Sequence, residues 1–228
     1  YGASGTYMVG AFDGKKFTPE GGKHYYITGS AYAGQTYTNI PSSDGRRIQI
    51  SWGRIPSQNM PFNMLMLLPV ELALRNTKSG IRLFGMPIKE VTALHNENFS
   101  WHNLNTDEAN KHLQKFNNES LVRVKFTLKL SHATGAGLNL RGQSLVNYDM
   151  NFNLVNGVFY SPNDMTSMEI SADIFIDKTS VEVFIDDGAY SYSFEKKNMN
   201  SDQGFYFWGN NITIKNLEVY TLKSIWNK

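Results

Sequence analysis

Cysteine is absent from the 228-residue sequence. That excludes disulfides, thiolate metal sites and a cysteine nucleophile. It leaves the compartment open, because exported bacterial proteins often do without cysteine. An excess of one charge is also absent: Lys+Arg total 22 and Asp+Glu 20, a formal net charge of +2. Such a balance argues against a protein that lives on nucleic-acid phosphates. No stretch approaches the roughly 20 apolar residues of a membrane helix; the longest apolar run, 64–70, is short and contains Pro69. The histidines (His24, His95, His102, His112 and His132) stand at no tight ligand spacing, and carboxylates do not cluster around them. Neither a metal nor a cofactor is therefore expected. No serine sits in a nucleophile elbow, and no glycine loop is built to cradle phosphate. An initiating Met is missing too: Tyr1 opens the sequence with no signal peptide, which suggests a chain that starts inside something longer.

What is present is aromatic. Phe, Trp and Tyr make up 13% of the residues, alongside 19 Gly and abundant Asn. Aromatics with turn formers and few helix formers predict an all-β protein. Strict alternation supports this. In 121–130, Val122, Val124, Phe126, Leu128 and Leu130 share one face, and Arg123, Lys125, Thr127 and Lys129 the other. The segment 168–176 repeats the pattern, with Met168, Ile170, Ala172, Ile174 and Ile176 opposite Glu169, Ser171 and Asp173. Asp187-Gly188 between 181–185 and 190–194 signals a hairpin. Further strands are read at 7–12, 47–52, 72–74, 81–84, 204–208 and 212–220. In the polar stretch 93–120 only 106–116 reads as helical, with Asp107 and Glu108 in its first turn.

Candidate chemistry is sparse. Glycoside hydrolysis needs two carboxyl groups facing one bond, but Asp186-Asp187 and Asp13 each precede a glycine and read as turns. Glu71 reads as structural. Glu182 lies on the same side as Phe184 and is a candidate ligand for a sugar hydroxyl. Aromatic rings can stack on sugar C–H faces, and Trp52, beside Arg54, and the Tyr25, Tyr26 and Tyr32 group are candidates. Trp52 equally continues the apolar face of Ile48 and Ile50, so both readings stand. No catalytic pair is found in this chain.

Several segments are familiar in order. Residues 7–17, Tyr-Met-Val-Gly-Ala-Phe-Asp-Gly-Lys-Lys-Phe, are similar to a "Y-x-x-G-x-F-D-G-x-x-F" segment of glycoside hydrolase family 32, the levanases, inulinases and invertases. Tyr32-Ala33-Gly34-Gln35-Thr36-Tyr37 resembles its "F-Y-A-x-Q-T-F". Residues 45–52 resemble its "G-R-R-I-x-I-G-W", 68–72 its "L-P-R-E-L", and 86–91 its "x-P-V-x-E-L". Residues 177–188 resemble its "D-x-S-S-V-E-V-F-x-N-D-G" hairpin.

The resemblance implies the C-terminal part of a five-bladed β-propeller over residues 1–92, followed by a jelly-roll-like β-sandwich over 93–228. It implies a retaining hydrolase of fructosides whose nucleophile ("W-M-N-D-P-N-G"), stabilising Asp ("R-D-P") and acid Glu ("E-C-P") are absent here and would lie upstream. This chain alone is then expected to be inactive. The tryptophan ending the "I-G-W" strand lines the family's fructose pocket, which favours Trp52. A family "D-Y-G-x-D" segment departs here, with Ser30 at its second Asp and Tyr26 near its first. The expected substrate-binding set is Trp52, Ser30, Arg54 and Glu182. Expected partners are a fructan or fructoside, and either the missing propeller portion or another copy, with no nucleic acid and no membrane span. The expected location is extracellular or periplasmic, in a bacterium. The alternative is a non-catalytic fructan-binding or dimerisation sandwich.

Overall fold

The computed structural model describes residue 2 and residues 5–131, 133–159, 169–197 and 204–225. Tyr1, His132 and Met168, which the sequence reading used, lie outside the described residues. Five short strands open the chain: β1 (Thr6–Tyr7), β2 (Gly10–Phe12), β3 (Phe17–Pro19), β4 (His24–Tyr25) and β5 (Ile27–Gly29). The single strand read at 7–12 is thus broken in two. Asp13 turns the chain after β2, its Oδ1 accepting from the Lys15 and Lys16 amides at 2.7 Å each.

Longer strands follow: β6 (Ala31–Thr36), β7 (Arg47–Gly53), β8 (Leu65–Met66), β9 (Val70–Thr77) and β10 (Gly80–Pro87). They form one antiparallel sheet in the order β10-β9-β7-β6, with β8 also against β7. The segment bearing β8 and β9 borders β7 discontinuously: β9 pairs with 47–49 and β8 with 52–53.

A 3₁₀ turn, Lys89–Leu94, leads to β11 (His95–Leu104), a strand the polar sequence did not announce. Its face is carried by Phe99 and Trp101, both partly buried on the core. The helix read at 106–116 is present as α1 (Thr106–Leu113) with a 3₁₀ turn at Gln114–Phe116. Asn105 caps it: its side chain accepts from the Glu108 amide, and the Glu108 carboxylate accepts from the Asn105 amide, each at 2.9 Å. That reciprocal pair satisfies two helix-end donors.

Among the described residues the elements that follow are strands: β12 (Val122–Leu130), β13 (Gly135–Leu140), β14 (Gln143–Asp149), β15 (Leu154–Val155), β16 (Val158–Phe159), β17 (Glu169–Ile176), β18 (Ser180–Ile185), β19 (Tyr190–Glu195), β20 (Phe205–Gly209) and β21 (Ile212–Leu222). They make a sandwich. One sheet runs β11-β21-β12-β17-β18-β19-β5 and the other β16-β15-β14-β13-β20. Between them lies the main core, where Val122, Val124, Phe126 and Leu128 of β12 meet Leu138, Leu145, Val146 and Phe207. The alternation read at 121–130 is this inward face. Beside β20, Asn110 of α1 accepts from the Phe207 amide at 2.6 Å and donates to its carbonyl at 3.1 Å, while Asn117 accepts from the Phe205 amide at 3.0 Å. Side chains thereby cover the backbone of an edge strand that would otherwise stand open.

The N-terminal strands reach the sandwich in two places. β5 adds to the edge of β19 in parallel, Ser191 opposite Ile27 and Ser193 opposite Gly29. Outward-facing Phe175 and Phe184 then bury themselves with Val70 and Val91, against Leu72, Met86 and Ile88. The β18–β19 hairpin touches this seam through Gly188. Its carbonyl accepts from the Gly85 amide at 2.9 Å, its φ is 81°, and an added Cβ would lie 2.2 Å from the Gly85 carbonyl oxygen. Only glycine takes both the left-handed backbone and the close approach.

Gly188→Ala is therefore expected to lower the unfolding free energy by at least about 1–2 kcal/mol, the cost of the left-handed backbone alone, read as a fall in the urea midpoint. An unchanged midpoint would show that the hairpin tip does not bear on β10.

Candidate functional site

Strand β7 decides where the chain presents chemistry. Ile48, Ile50 and Trp52 share a face, but burial falls along it: Ile48 is buried, Ile50 half-buried and Trp52 37% exposed. The ring therefore leaves the core. Opposite it in register stands Tyr32 of β6, whose ring meets the indole edge-on at 6.4 Å between centroids. The Arg54 guanidinium lies over the Tyr32 ring at 4.9 Å. Ser30 sits at the root of this group, its carbonyl accepting from the Arg54 amide at 2.9 Å and its own amide donating to Ser193 at 2.8 Å. Trp52, Arg54, Ser30 and Tyr32 thus come together on one lip, the first two projecting from the end of β7. Both rings are exposed, and a cation held over an aromatic face is attracted by its quadrupole. A flat apolar surface beside fixed donors is what stacking on a sugar ring requires.

Beneath the lip, Tyr26 donates to Gln49 Oε1 at 2.6 Å, both side chains being buried. Gln49 Nε2 is buried with no partner among the described residues. A Cβ on Gly34 would come within 2.6 Å of that nitrogen, so glycine there lets β6 pass close over the amide. The sequence offered no signal for this pair, since Gln49 lies on the strand side read as polar. Tyr25, by contrast, is exposed on β4.

Glu182 is placed apart from the lip. It is buried in β18, and both its carboxylate oxygens accept from the Leu68 amide at 3.1 Å. The side chain does lie on the Phe184 side of its strand, but that side faces the N-terminal sheet at the seam rather than open water. Burial pushes its carboxyl up to about 8, opposed by the Leu68 amide and reinforced by the Asp177 charge. It borders a largely apolar cleft of about 610 Å³, lined by Ile50, Met60, Phe62, Met66 and Leu222 among others. Asp177, Lys178, Thr179 and Ser180 also line that cleft, but the Glu182 carboxyl itself is engaged by the Leu68 amide.

The two carboxylates of the β18–β19 turn meet neighbouring groups. Asp186 Oδ1 accepts from the Ser171 amide at 2.7 Å and its hydroxyl at 3.1 Å, and Asp187 lies 3.6 Å from Arg75. Asp186, Asp187 and Gly188 all have positive φ, the geometry of the hairpin turn read from Asp187-Gly188. Among the described residues no group of three or more His, Asp or Glu side chains could hold a metal.

One charged group escaped the sequence reading. Arg123 alternates with Lys125 and Thr127 and reads as solvated, yet it is buried. Its Nε and Nη2 donate to both oxygens of Asp173 at 2.9 and 2.6 Å. Its Nη1 donates to His95 Nε2 at 3.1 Å, and burial together with the Arg123 charge holds that imidazole below its usual range. Phe175 and His95-stacked Tyr220 flank it.

No family model matches the sequence. Two curated relatives do. The levanase of Bacillus subtilis is 25% identical over an alignment of 262 residues, covering 99% of this chain and 38% of the relative. The levanase of Bacillus sp. strain L7 is 25% identical over 241 residues, covering 91% and 25%. The chain therefore spans well under half the length of these relatives. Among solved structures, the exo-inulinase of Aspergillus awamori superposes with a TM-score of 0.69 at 19% identity, covering 96% of this chain and 50% of that one. Fructan 1-exohydrolase IIa from Cichorium intybus gives 0.67 at 15%, covering 95% and 54%. The chain resembles the C-terminal portion of glycoside hydrolase family 32. The solved neighbours show the fold, all-β with a β-sandwich. Among the described residues no helix is long and apolar enough to cross a membrane.

The raised Glu182 carboxyl makes stability pH-dependent. A folded pKa near 8 against 4.5 for the free group means that the folded state keeps a proton the unfolded state has released. Its stability contribution is complete below pH 4.5 and is lost as pH rises toward 8. Glu182→Gln, which keeps an acceptor for Leu68, should raise the melting temperature at pH 8–9 by the equivalent of a few kcal/mol and leave it nearly unchanged at pH 4. Parallel pH profiles for the two proteins would contradict this.

Proposed function

We propose that the chain is the C-terminal part of a β-fructosidase, supplying propeller strands and the sandwich but not the catalytic carboxylates. In this reading residues 1–92 belong to the propeller and 93–228 are the sandwich module. The order β10-β9-β7-β6 supports it, since a four-stranded antiparallel meander is the repeating unit of a propeller. Such a unit protects its edges by ring closure; the sandwich already packs on residues 1–92, and the edges it leaves open are covered by the rest of the propeller or by another copy of the chain.

The observation that carries the reading is the convergence of Trp52, Tyr32, Arg54 and Ser30 on one exposed lip. The indole offers a stacking face for a fructosyl ring, and the Arg54 guanidinium and Ser30 supply polar groups at its side. The relatives are named levanases and the solved neighbours exo-inulinase and fructan exohydrolase. Their names support a fructan or fructoside as the ligand here. A polymeric substrate also supports a location outside the cytoplasm, extracellular or periplasmic. Glu182, bound to Leu68 at the seam, is better explained as a structural clamp than as a fourth sugar ligand.

Two measurements test this. The purified 228-residue chain should release no fructose from levan, inulin or sucrose; measurable hydrolysis would place a catalytic pair within it. In affinity electrophoresis through levan or inulin gels the chain should be retarded, and Trp52→Ala should weaken that retardation about tenfold, one stacked ring being worth roughly 1–2 kcal/mol. Equal retardation of both proteins would remove the lip from the argument.

A further inference from the structure

The outer face of β12 carries a second concentration of polar chemistry, well separated in sequence from the lip. Strand register arranges it in rows. Lys125 stands between Asp173 of β17 and Glu218 of β21, and Thr127 between Ser171 and Asn216. These six residues line a cavity of about 230 Å³ whose walls also include Phe184 and Met86, with Arg123 alongside and Asp187 of the β18–β19 hairpin contributing a carboxylate. The cavity therefore lies at the seam, between the sandwich face and the end of β10. At about 30 Å³ per water it corresponds to roughly seven or eight waters, the scale of a single sugar ring.

The lining selects for a neutral, hydroxyl-rich occupant. An anion would meet the carboxylates of Asp173, Glu218 and Asp187. A cation would meet the guanidinium of Arg123 and the ammonium of Lys125. A hydroxyl both donates and accepts, so a polyol can use the two kinds of group together. The polar groups are also held in position. Asp173 is fixed by two hydrogen bonds from Arg123, and its side chain and that of Arg123 are 5% and 10% exposed. Asn216 Oδ1 lies 2.8 Å from His102 Nδ1, which leaves the amide donors of Asn216 uncommitted among the described residues. Lys125 Nζ is 3.8 Å from Glu218 Oε2, too long for a hydrogen bond and close enough for both to reach one hydroxyl. Phe184 and Met86 give the apolar wall against which a ring's C–H face rests.

We propose that this cavity is a second carbohydrate site, on the sandwich, that takes one neutral sugar residue through Lys125, Asp173, Asn216 and Glu218. It does not depend on the assignment of Trp52.

Amide NMR of the full 228-residue chain, titrated with fructose, glucose and 1-kestose, tests it. At least one sugar should produce saturable shifts at the Thr127, Ser171, Asn216 and Glu218 amides. Lys125→Ala and Asn216→Ala, each checked for an unchanged melting temperature, should weaken that binding about tenfold, whereas Trp52→Ala should leave it intact. Lys125→Met, which keeps the aliphatic stem, should behave as Lys125→Ala. The absence of saturable shifts at those amides with all three sugars would overturn the proposal. So would shifts confined to Tyr32 and Trp52, which would support the lip alone, and so would undiminished binding by both alanine variants.

Discussion

A sheet that does not close on itself must bury one of its faces elsewhere, and that constraint organises the molecule. The sheet β10-β9-β7-β6 is open and brings Val70, Leu72 and Met86 to a seam that needs cover. The sandwich supplies it through the outward side of β17 and β18. Phe175 and Phe184 fill the seam as an edge-on pair with ring centroids 6.3 Å apart. Strand β5 then fastens the arrangement by backbone pairing, extending the sandwich sheet with residues from the N-terminal region. Burial of apolar surface at roughly 25 cal/mol per Å² drives such a junction, while the backbone pairing fixes its register.

Covering a polar strand face has electrostatic consequences. A carboxylate or guanidinium that would be solvated on a free sandwich is drawn out of water and must find a partner or change its protonation. Arg123 finds partners, a bidentate carboxylate and a neutral imidazole. Glu182 finds only one backbone amide, and its carboxyl is pushed up accordingly. The contrast follows from position. Arg123 lies where β11 and β21 bring His95 and Tyr220 alongside, whereas Glu182 faces the interrupted stretch between β8 and β9, where a backbone N–H is what the seam offers. Glu182 ties the two regions together through Leu68, whereas the Arg123 ion pair lies within the sandwich.

Local pattern made much of the sandwich legible. The alternation at 121–130 gave β12, Asp187-Gly188 gave the β18–β19 hairpin, and Asp107 with Glu108 marked α1, because each of these signals is a property of neighbouring residues. Strand β11 was hidden for the opposite reason. An edge strand needs apolar residues on only part of one face, so Asn96, Asn98 and Asn103 swamp Phe99 and Trp101 in any local window. The segment 131–159 gave no reading although it holds β13 and β14. Arg123 was misread because strand alternation reports which side a residue is on and says nothing about what covers that side. The lip was legible in part: Trp52 beside Arg54 is local, but the meeting of Trp52 with Tyr32 and of Arg54 with Ser30 is set by the register of β6 against β7, which the bulge between Tyr32 and Gln35 defines.

That bulge also explains why the aromatic lip survives while so much nearby is buried. In a regular pair the residues between Tyr32 and Gln35 would continue the ladder and bring a side chain over β7. Here Ala33 takes a positive φ of 47° and Gly34 passes over Gln49 and Ser51 without a Cβ. The β6 strand bends, as bulged strands do, and Tyr32 is turned toward Trp52 instead of away from it. Gln49 and Ser51 are sealed beneath, and Trp52, on the alternate side, is left in solvent. A single irregularity in strand pairing therefore separates the two fates of β7: one face becomes a buried amide held by Tyr26, and the other an exposed ring beside a guanidinium.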